Sequence, residues 1–285
     1  MKAPPFRYVR AESVDHALDL LAAHGDDAQI LAGGQSLVPA LNLRLAAPKL
    51  VIDINGLSAL GGIVIAGDSV RIGALARHAE VLTSEAIQGQ LPLIAKAMPH
   101  VAHVAVRNRG TFGGSIAYAD PAAELPACAV ALDARFVLQS KRGRREVAAA
   151  DFFKGLYQTE RAPDELLIEA FIPRQRLGFA FAFGEVVRRH GDFAIVGLAA
   201  IGRWDGARVQ DLKLVYFGCE DRPKLATGAI KVVRERKFDA VAVEAAVAAL
   251  DRDLDPVGNL LGSAAAKRHI AKTITRRALG SMFRN

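Results

Sequence analysis

A chain of 285 residues, 51% hydrophobic and 24% charged, has enough apolar sequence to bury a sizeable core and too much to remain disordered. Its net charge of +7 is dominated by arginine and accompanies no DNA- or RNA-binding motif, so the excess reads as a solvated surface and no nucleic-acid partner is expected. No apolar run approaches the ~20 residues of a membrane-spanning helix, the stretch from Met1 to Tyr8 lacks a signal-peptide core, and Cys128 and Cys219 are too few for a disulfide framework or an iron–sulfur cluster. The expectation is a cytoplasmic chain with no membrane insertion and no cluster of its own.

Phe6 and Tyr8 open an extended entry, and Ser13 caps a helix that runs through Leu18 and Leu21 to Gly25. Gln29 to Ala32 reads as a buried strand, followed by Gly33-Gly34 and by Leu37, Leu41 and Leu45 at helical spacing. Lys49 to Ile54 is a strand that ends in an Asn55-Gly56 turn. A second lobe begins near residue 57, where Gly62 to Ala66 and Val70 to Gly73 flank Gly67-Asp68-Ser69 as a hairpin. Ala76 to Leu82 and Leu91 to Met98 read as helices. His100 and His103 have no third ligand nearby, so they read as polar residues at a helix end and no metal is expected.

Ala102 to Val106 leads into the most informative stretch, R-N-R-G-T-F-G-G-S-I-A-Y-A-D-P-A-A-E-L-P from Arg107 to Pro126. Asp120 precedes Pro121, which favours an extended aspartate, and Ala122 to Leu125 opens a helix whose N-terminal dipole favours a nearby phosphate. Arg135 to Ser140 and Arg145 to Val147 pair across a basic turn. Asp151 starts a loop that reaches a strand at Glu165 to Pro173. From Gly178 the pattern changes to long strands, Phe179 to Val187, Ala194 to Arg203 and Val209 to Phe217, with short turns that imply an antiparallel sheet. Helices at Asp239 to Leu250 and Ser263 to Leu279 follow, so residues 176–285 form an α+β domain with helices on one face, after a first domain at 1–175 with lobes of about 1–56 and 57–175. The basic last helix carries a narrow stripe of Ile270, Ile274 and Ala278. It reads as a surface helix with solvated charges, with a subunit contact as the second reading.

Each glycine pair lies beside small hydroxyl residues at what reads as a strand-to-helix junction, where several amides can turn toward one anion without a Cβ in the way. One such pair is more often only a turn. Two of matching chemistry suit a long anionic ligand such as a dinucleotide pyrophosphate, although neither fits the Rossmann or P-loop spacing.

A-G-G-Q-S-L-V-P at 32 to 39, T-F-G-G-S-I at 111 to 116, A-D-P-A-A-E-L-P at 119 to 126 and R-R-H-G-D-F-A at 188 to 194 resemble, in order, the signatures of the FAD-binding medium subunit of molybdenum hydroxylases. The resemblance spans essentially the whole chain. It implies a two-lobed FAD-binding domain of the vanillyl-alcohol-oxidase-like type. Leu31, Ala32, Gly33, Gly34, Gln35, Ser36, Leu37 and Val38, with Thr111, Phe112, Gly113, Gly114 and Ser115, would wrap the pyrophosphate through backbone amides, and Ser36, Thr111 and Ser115 would add hydroxyls. Asp120 would accept from an adenosine ribose hydroxyl and Leu167 would pack on the cofactor. The implied partners are a small subunit with [2Fe-2S] clusters and a large molybdopterin subunit that carries substrate hydroxylation, so no catalytic residue is assigned here. Arg188, Arg189 and Asp192 lie near the flavin in the family, whereas by themselves they read as a surface ion-pair cluster. Relatives often have a lysine before this arginine pair and sometimes a tyrosine after Gly-Asp, where Gly184, Glu185 and Phe193 stand here. Two other readings remain: an independent FAD-dependent reductase or oxidase, and a cofactor-free scaffold of the same fold.

Overall fold

The computed structural model describes residues 2–175, 178–206 and 208–283. The expected boundary between 175 and 176 touches Arg176 and Leu177, which lie outside the described residues. Near the N-terminus, strands Arg7–Arg10, Leu50–Asp53 and Ala28–Leu31 pair in parallel with Leu50–Asp53 central. Helix Val14–His24, capped by the Ser13 hydroxyl, supplies Ala17, Leu18 and Leu21 to a small core against Leu50 and Ile52.

An antiparallel five-stranded sheet follows, in the order Ile63–Ala66, Ser69–Gly73, Leu166–Pro173, Arg135–Ser140, Gly143–Ala148. The central strand Leu166–Pro173 shifts register between Leu167 and Glu169. A bulge of this kind re-aims side chains locally. The helices that close this lobe include Glu85–Gln90 and Val104–Arg107, both outside the expected set, while the residues after Asp151 form a short helix Ala149–Phe152 and a two-stranded pair rather than a loop. Their hydrogen bonds are local, and segments this short carry little periodicity.

Strands Phe179–Val186, Val196–Trp204, Val209–Phe217 and Lys224–Leu225 form the last sheet, antiparallel throughout. As expected, the helices of this domain pack on one face of its sheet. Thr227–Arg234, which sequence periodicity did not mark, Ala240–Asp253 and Ala264–Met282 build a core against one face through Leu198, Leu214 and Tyr216. Ala199, Ile201, Val215 and Phe217 on the opposite face join the core of the preceding lobe. Both faces are therefore covered, and Val196 to Ile201 is an unbroken buried run, as a strand sandwiched on two sides requires.

The stripe on Ala264–Met282 is an intramolecular packing face. Ala271, Ile274, Thr275, Ala278 and Leu279 are buried, Thr275 Oγ1 lies 2.6 Å from Tyr216 Oη, and Lys267 reaches the Gly218 carbonyl at 2.8 Å. Among the described residues no helix is long and apolar enough to cross a membrane and no group of side chains has metal-site geometry.

Candidate functional site

A cleft of about 670 Å³ runs between the three-stranded sheet, the five-stranded lobe and the 188–193 segment. That size suits a cofactor. Its first wall begins where strand Ala28–Leu31 ends. Gly34 takes φ +74°, the left-handed region open to glycine, and the chain turns into helix Leu37–Asn42. Among the described residues no group accepts from the consecutive amides of Ala32, Gly33, Gly34, Gln35, Ser36 and Leu37. The Ser36 side chain makes no capping bond to the helix it precedes. A row of open donors at a strand end is an anion-binding device.

The second glycine pair does something different. Thr111 caps helix Phe112–Tyr118, and its Oγ1 accepts from the Gly114 amide at 3.1 Å. Phe112 and Gly113 donate to the carbonyls of Ala76 and Ala74, and Ser115 donates to that of Thr111. Four of the five amides from Thr111 to Ser115 therefore already have acceptors inside the fold. Phe112 is fully buried in the core. At Gly113 a Cβ would stand 2.5 Å from Ala74 Cβ, so this glycine lets the helix approach the sheet. What reaches the cleft is the small surface of Gly113 and Gly114 with the residues Thr111 and Ser115.

The remaining expected residues sort in the same way. Ala32, Gly33, Gly34, Gln35, Ser36, Leu37, Asp120 and Leu167 line the cleft, whereas Leu31 and Val38 flank Gly34 behind its wall. Asp120 Oδ1 accepts from the Ala122 amide at 2.9 Å and Oδ2 from Tyr157 Oη at 3.4 Å; burial holds its carboxyl above the usual range. Arg188 and Asp192 line the cleft, but no ion pair joins them or Arg189 among the described residues, and Arg188 instead donates to the Leu260 carbonyl at 3.0 Å. Phe193 lines the mouth and is 59% exposed.

Several residues that hold the site carry no clear sequence signal. Gly33 packs its backbone on Arg109 and Gly110, so the two glycine segments meet in a seam. Asn55, which reads as a turn residue, donates from Nδ2 to the Ala32 carbonyl and to Asp53 Oδ1, both at 2.6 Å. Arg77 donates to Asn55 Oδ1 at 2.8 Å and to the Arg109 carbonyl. Asn55 and Arg77 together tie one glycine segment to the other across the chain. Asn55→Ala is expected to weaken FAD binding at least 10-fold and to cost about 1–3 kcal/mol of stability, because it strands partly buried partners. FAD titration and denaturant unfolding of the variant check both values.

At the cleft wall, helix Glu124–Ala131 starts with Glu124, only 7% exposed, at the end expected to favour a phosphate. Burial pushes its carboxyl up to about 7. Burial, with the Glu124 charge nearby, pushes that of Glu185 to about 8. Glu185 Oε1 lies 3.2 Å from His100 Nδ1, and Oε2 has no partner among the described residues. Both carboxyls keep protons that the unfolded chain, with glutamates near 4.5, has released. Stability is therefore expected to fall as pH rises from about 4.5 to about 8, and Glu185→Gln is expected to flatten the upper part of that fall. Thermal melts of both proteins across this range test it; parallel curves would refute it.

The fold and the cleft have close counterparts. Residues 4–175 match the family described as the FAD binding domain in molybdopterin dehydrogenase, and residues 181–282 match the CO dehydrogenase flavoprotein C-terminal domain. The chain is 40% identical over 280 residues to the 6-hydroxypseudooxynicotine dehydrogenase complex subunit alpha of Paenarthrobacter nicotinovorans, covering 98% of this chain and 95% of that one. It is 36% identical to the carbon monoxide dehydrogenase medium chain of Hydrogenophaga pseudoflava, with 99% of each covered. A solved structure of carbon monoxide dehydrogenase from that organism superimposes with a TM-score of 0.96 over 99% of this chain and 98% of that one, at 36% identity. Quinoline 2-oxidoreductase from Pseudomonas putida superimposes with a TM-score of 0.92 at 35% identity, over 99% of this chain and 98% of that one. With both domain families matched in order and relatives aligned along nearly the full length, this chain belongs to the FAD-binding medium subunits of molybdenum hydroxylases, which are oxidoreductases.

Proposed function

We propose that this chain holds FAD non-covalently in the cleft and relays electrons from [2Fe-2S] clusters on a small partner subunit to an external acceptor, while a large molybdopterin subunit carries substrate hydroxylation. The observation that carries the reading is the run of open amides from Ala32 to Leu37, set against a glycine surface across a narrow seam. FAD, when bound, supplies the redox chemistry. The chain's own residues bind and orient. The Ala32–Leu37 amides and the Ser36 and Ser115 hydroxyls would take the pyrophosphate oxygens, Asp120 would accept from a ribose hydroxyl, and Leu167 would present an aliphatic surface. No side chain is assigned as a general base or nucleophile.

The chain divides functionally at about 175/176, into an FAD-binding unit with lobes of about 1–56 and 57–175 and a C-terminal unit. Each of the three main sheets takes all its strands from one of these segments, which supports the division. The two cysteines are free and buried, in keeping with a cytoplasmic complex.

Purification of the chain with FAD, alone and co-expressed with iron–sulfur and molybdopterin partners, tests the assignment by absorption spectrum, released flavin and native mass. The expected result is stoichiometric FAD on the chain alone without substrate oxidation, and assembly into a larger complex that contains clusters and molybdenum. Absence of flavin under both conditions would sink the proposal. Tight FAD with independent turnover and no partner assembly would point to a self-contained flavoenzyme.

A further inference from the structure

His78 opens helix His78–Thr83 directly beneath the seam where the two glycine segments meet. Its amide donates to the Gly110 carbonyl at 2.9 Å, and its Nδ1 would stand 3.0 Å from a Cβ placed on Gly110, so the ring is held against the Gly110 backbone. The residue is 6% exposed, lines the cleft, and neither Nδ1 nor Nε2 has a hydrogen-bond partner among the described residues. A neutral imidazole carries one donor and one acceptor, and leaving both unmade in a buried place is costly unless a ligand completes them. Burial draws this imidazole down to about 4, the Thr111 backbone alongside it opposes the fall and the Arg107 and Arg77 charges add to it, so the ring is neutral at physiological pH and keeps an N–H to donate. Those arginines also make this part of the cleft favourable to an anion.

We propose that His78 is a direct hydrogen-bonding ligand of the dinucleotide, donating from its ring to a pyrophosphate oxygen beside the Ala32–Leu37 amides. The inference rests on the FAD-binding reading above and adds a side-chain ligand to a pyrophosphate site otherwise built from backbone and hydroxyls. A structural imidazole that merely fills space, or one satisfied by a trapped water, would not distinguish ligands by their phosphates.

The test is calorimetric titration of the full chain and of His78→Phe and His78→Gln with FAD, ADP and adenosine. Loss of a hydrogen bond to a charged group is expected to weaken FAD and ADP by roughly 10- to 100-fold in His78→Phe, with adenosine unchanged. His78→Gln, which retains an N–H donor, is expected to recover part of the loss. In the wild-type chain labelled with nitrogen-15 histidine, the His78 ring signals are expected to move on addition of ADP and to stay in place with adenosine. Wild-type affinity for FAD and ADP in a folded His78→Phe, or an equal loss for all three ligands, would overturn the role of His78 while leaving FAD binding intact. If His78→Phe does not fold, ring signals indifferent to ADP in the wild type would overturn it equally. Failure of the wild type to bind FAD or ADP at all would instead remove the FAD reading together with this one.

Discussion

Gly33→Ala is expected to abolish stoichiometric FAD retention and to destabilise the chain. A Cβ at this position would stand 2.7 Å from the Gly110 Cα and closer still to the Arg109 carbonyl oxygen, and all of these neighbours are backbone. No flexible side chain can move aside, so the seam must open. Overpacking of this kind costs roughly 1–3 kcal/mol in a core. Here it also separates the open amides of Ala32 to Leu37 from the glycine surface they face. Affinity for FAD should drop on the order of 100-fold or more, because several charge-assisted hydrogen bonds depend on one register. Gly89→Ala supplies the control, since a Cβ there meets nothing within 4 Å inside helix Glu85–Gln90, and alanine favours a helix. Released flavin per chain and thermal melting separate the two variants. Full flavin content in Gly33→Ala would show that the seam is not where the cofactor is held.

Phe217→Ala is the second large expectation, and it acts on stability first. Phe217 is fully buried, stacks on Phe183 with ring centroids 5.7 Å apart, and faces Gly197 on the neighbouring strand, where a Cβ would fall into its ring. It joins the last sheet to the core of the five-stranded lobe. Truncation removes that volume from a place walled by two sheets and their helices, where collapse is restricted, so about 3–5 kcal/mol is expected. The midpoint temperature should fall on the order of 10 °C. The 188–193 wall of the cleft hangs between strands Phe179–Val186 and Val196–Trp204, so FAD affinity should fall as well. Phe6→Ala, at 37% exposure, should change either quantity little. Denaturant unfolding with and without FAD measures both effects, and a loss below about 1 kcal/mol would mean that this face of the sheet is not packed into the core of the five-stranded lobe.

The glycine pairs show where sequence reading reached and where it stopped. At Gly33-Gly34 the run of small residues after an apolar strand marks a donor-rich turn, and the open amides agree with it. At Gly113-Gly114 the same local signal hides another use. Thr111 caps its own helix through the nearby Gly114 amide, and Gly113 is a spacer against Ala74, a role that depends on a residue nearly forty positions upstream. Glu185 marks a similar limit. Its position before the arginine pair was visible, but its burial against His100 and near Glu124 needs three separate elements to converge.

The sequence by itself determined the strand and hairpin pattern, the two glycine segments, the carboxylate at Asp120 and the family, because these signals are local: period, turn chemistry and short ordered motifs. Tertiary structure alone decided which amides stay open and why both ring nitrogens of His78 lack partners among the described residues, how Asn55 and Arg77 clamp the seam and why both faces of the last sheet are buried. Each of these is a question of what a group meets across the fold. Hydrogen-bond satisfaction and desolvation are set by neighbours distant in sequence, and no window along the chain contains them.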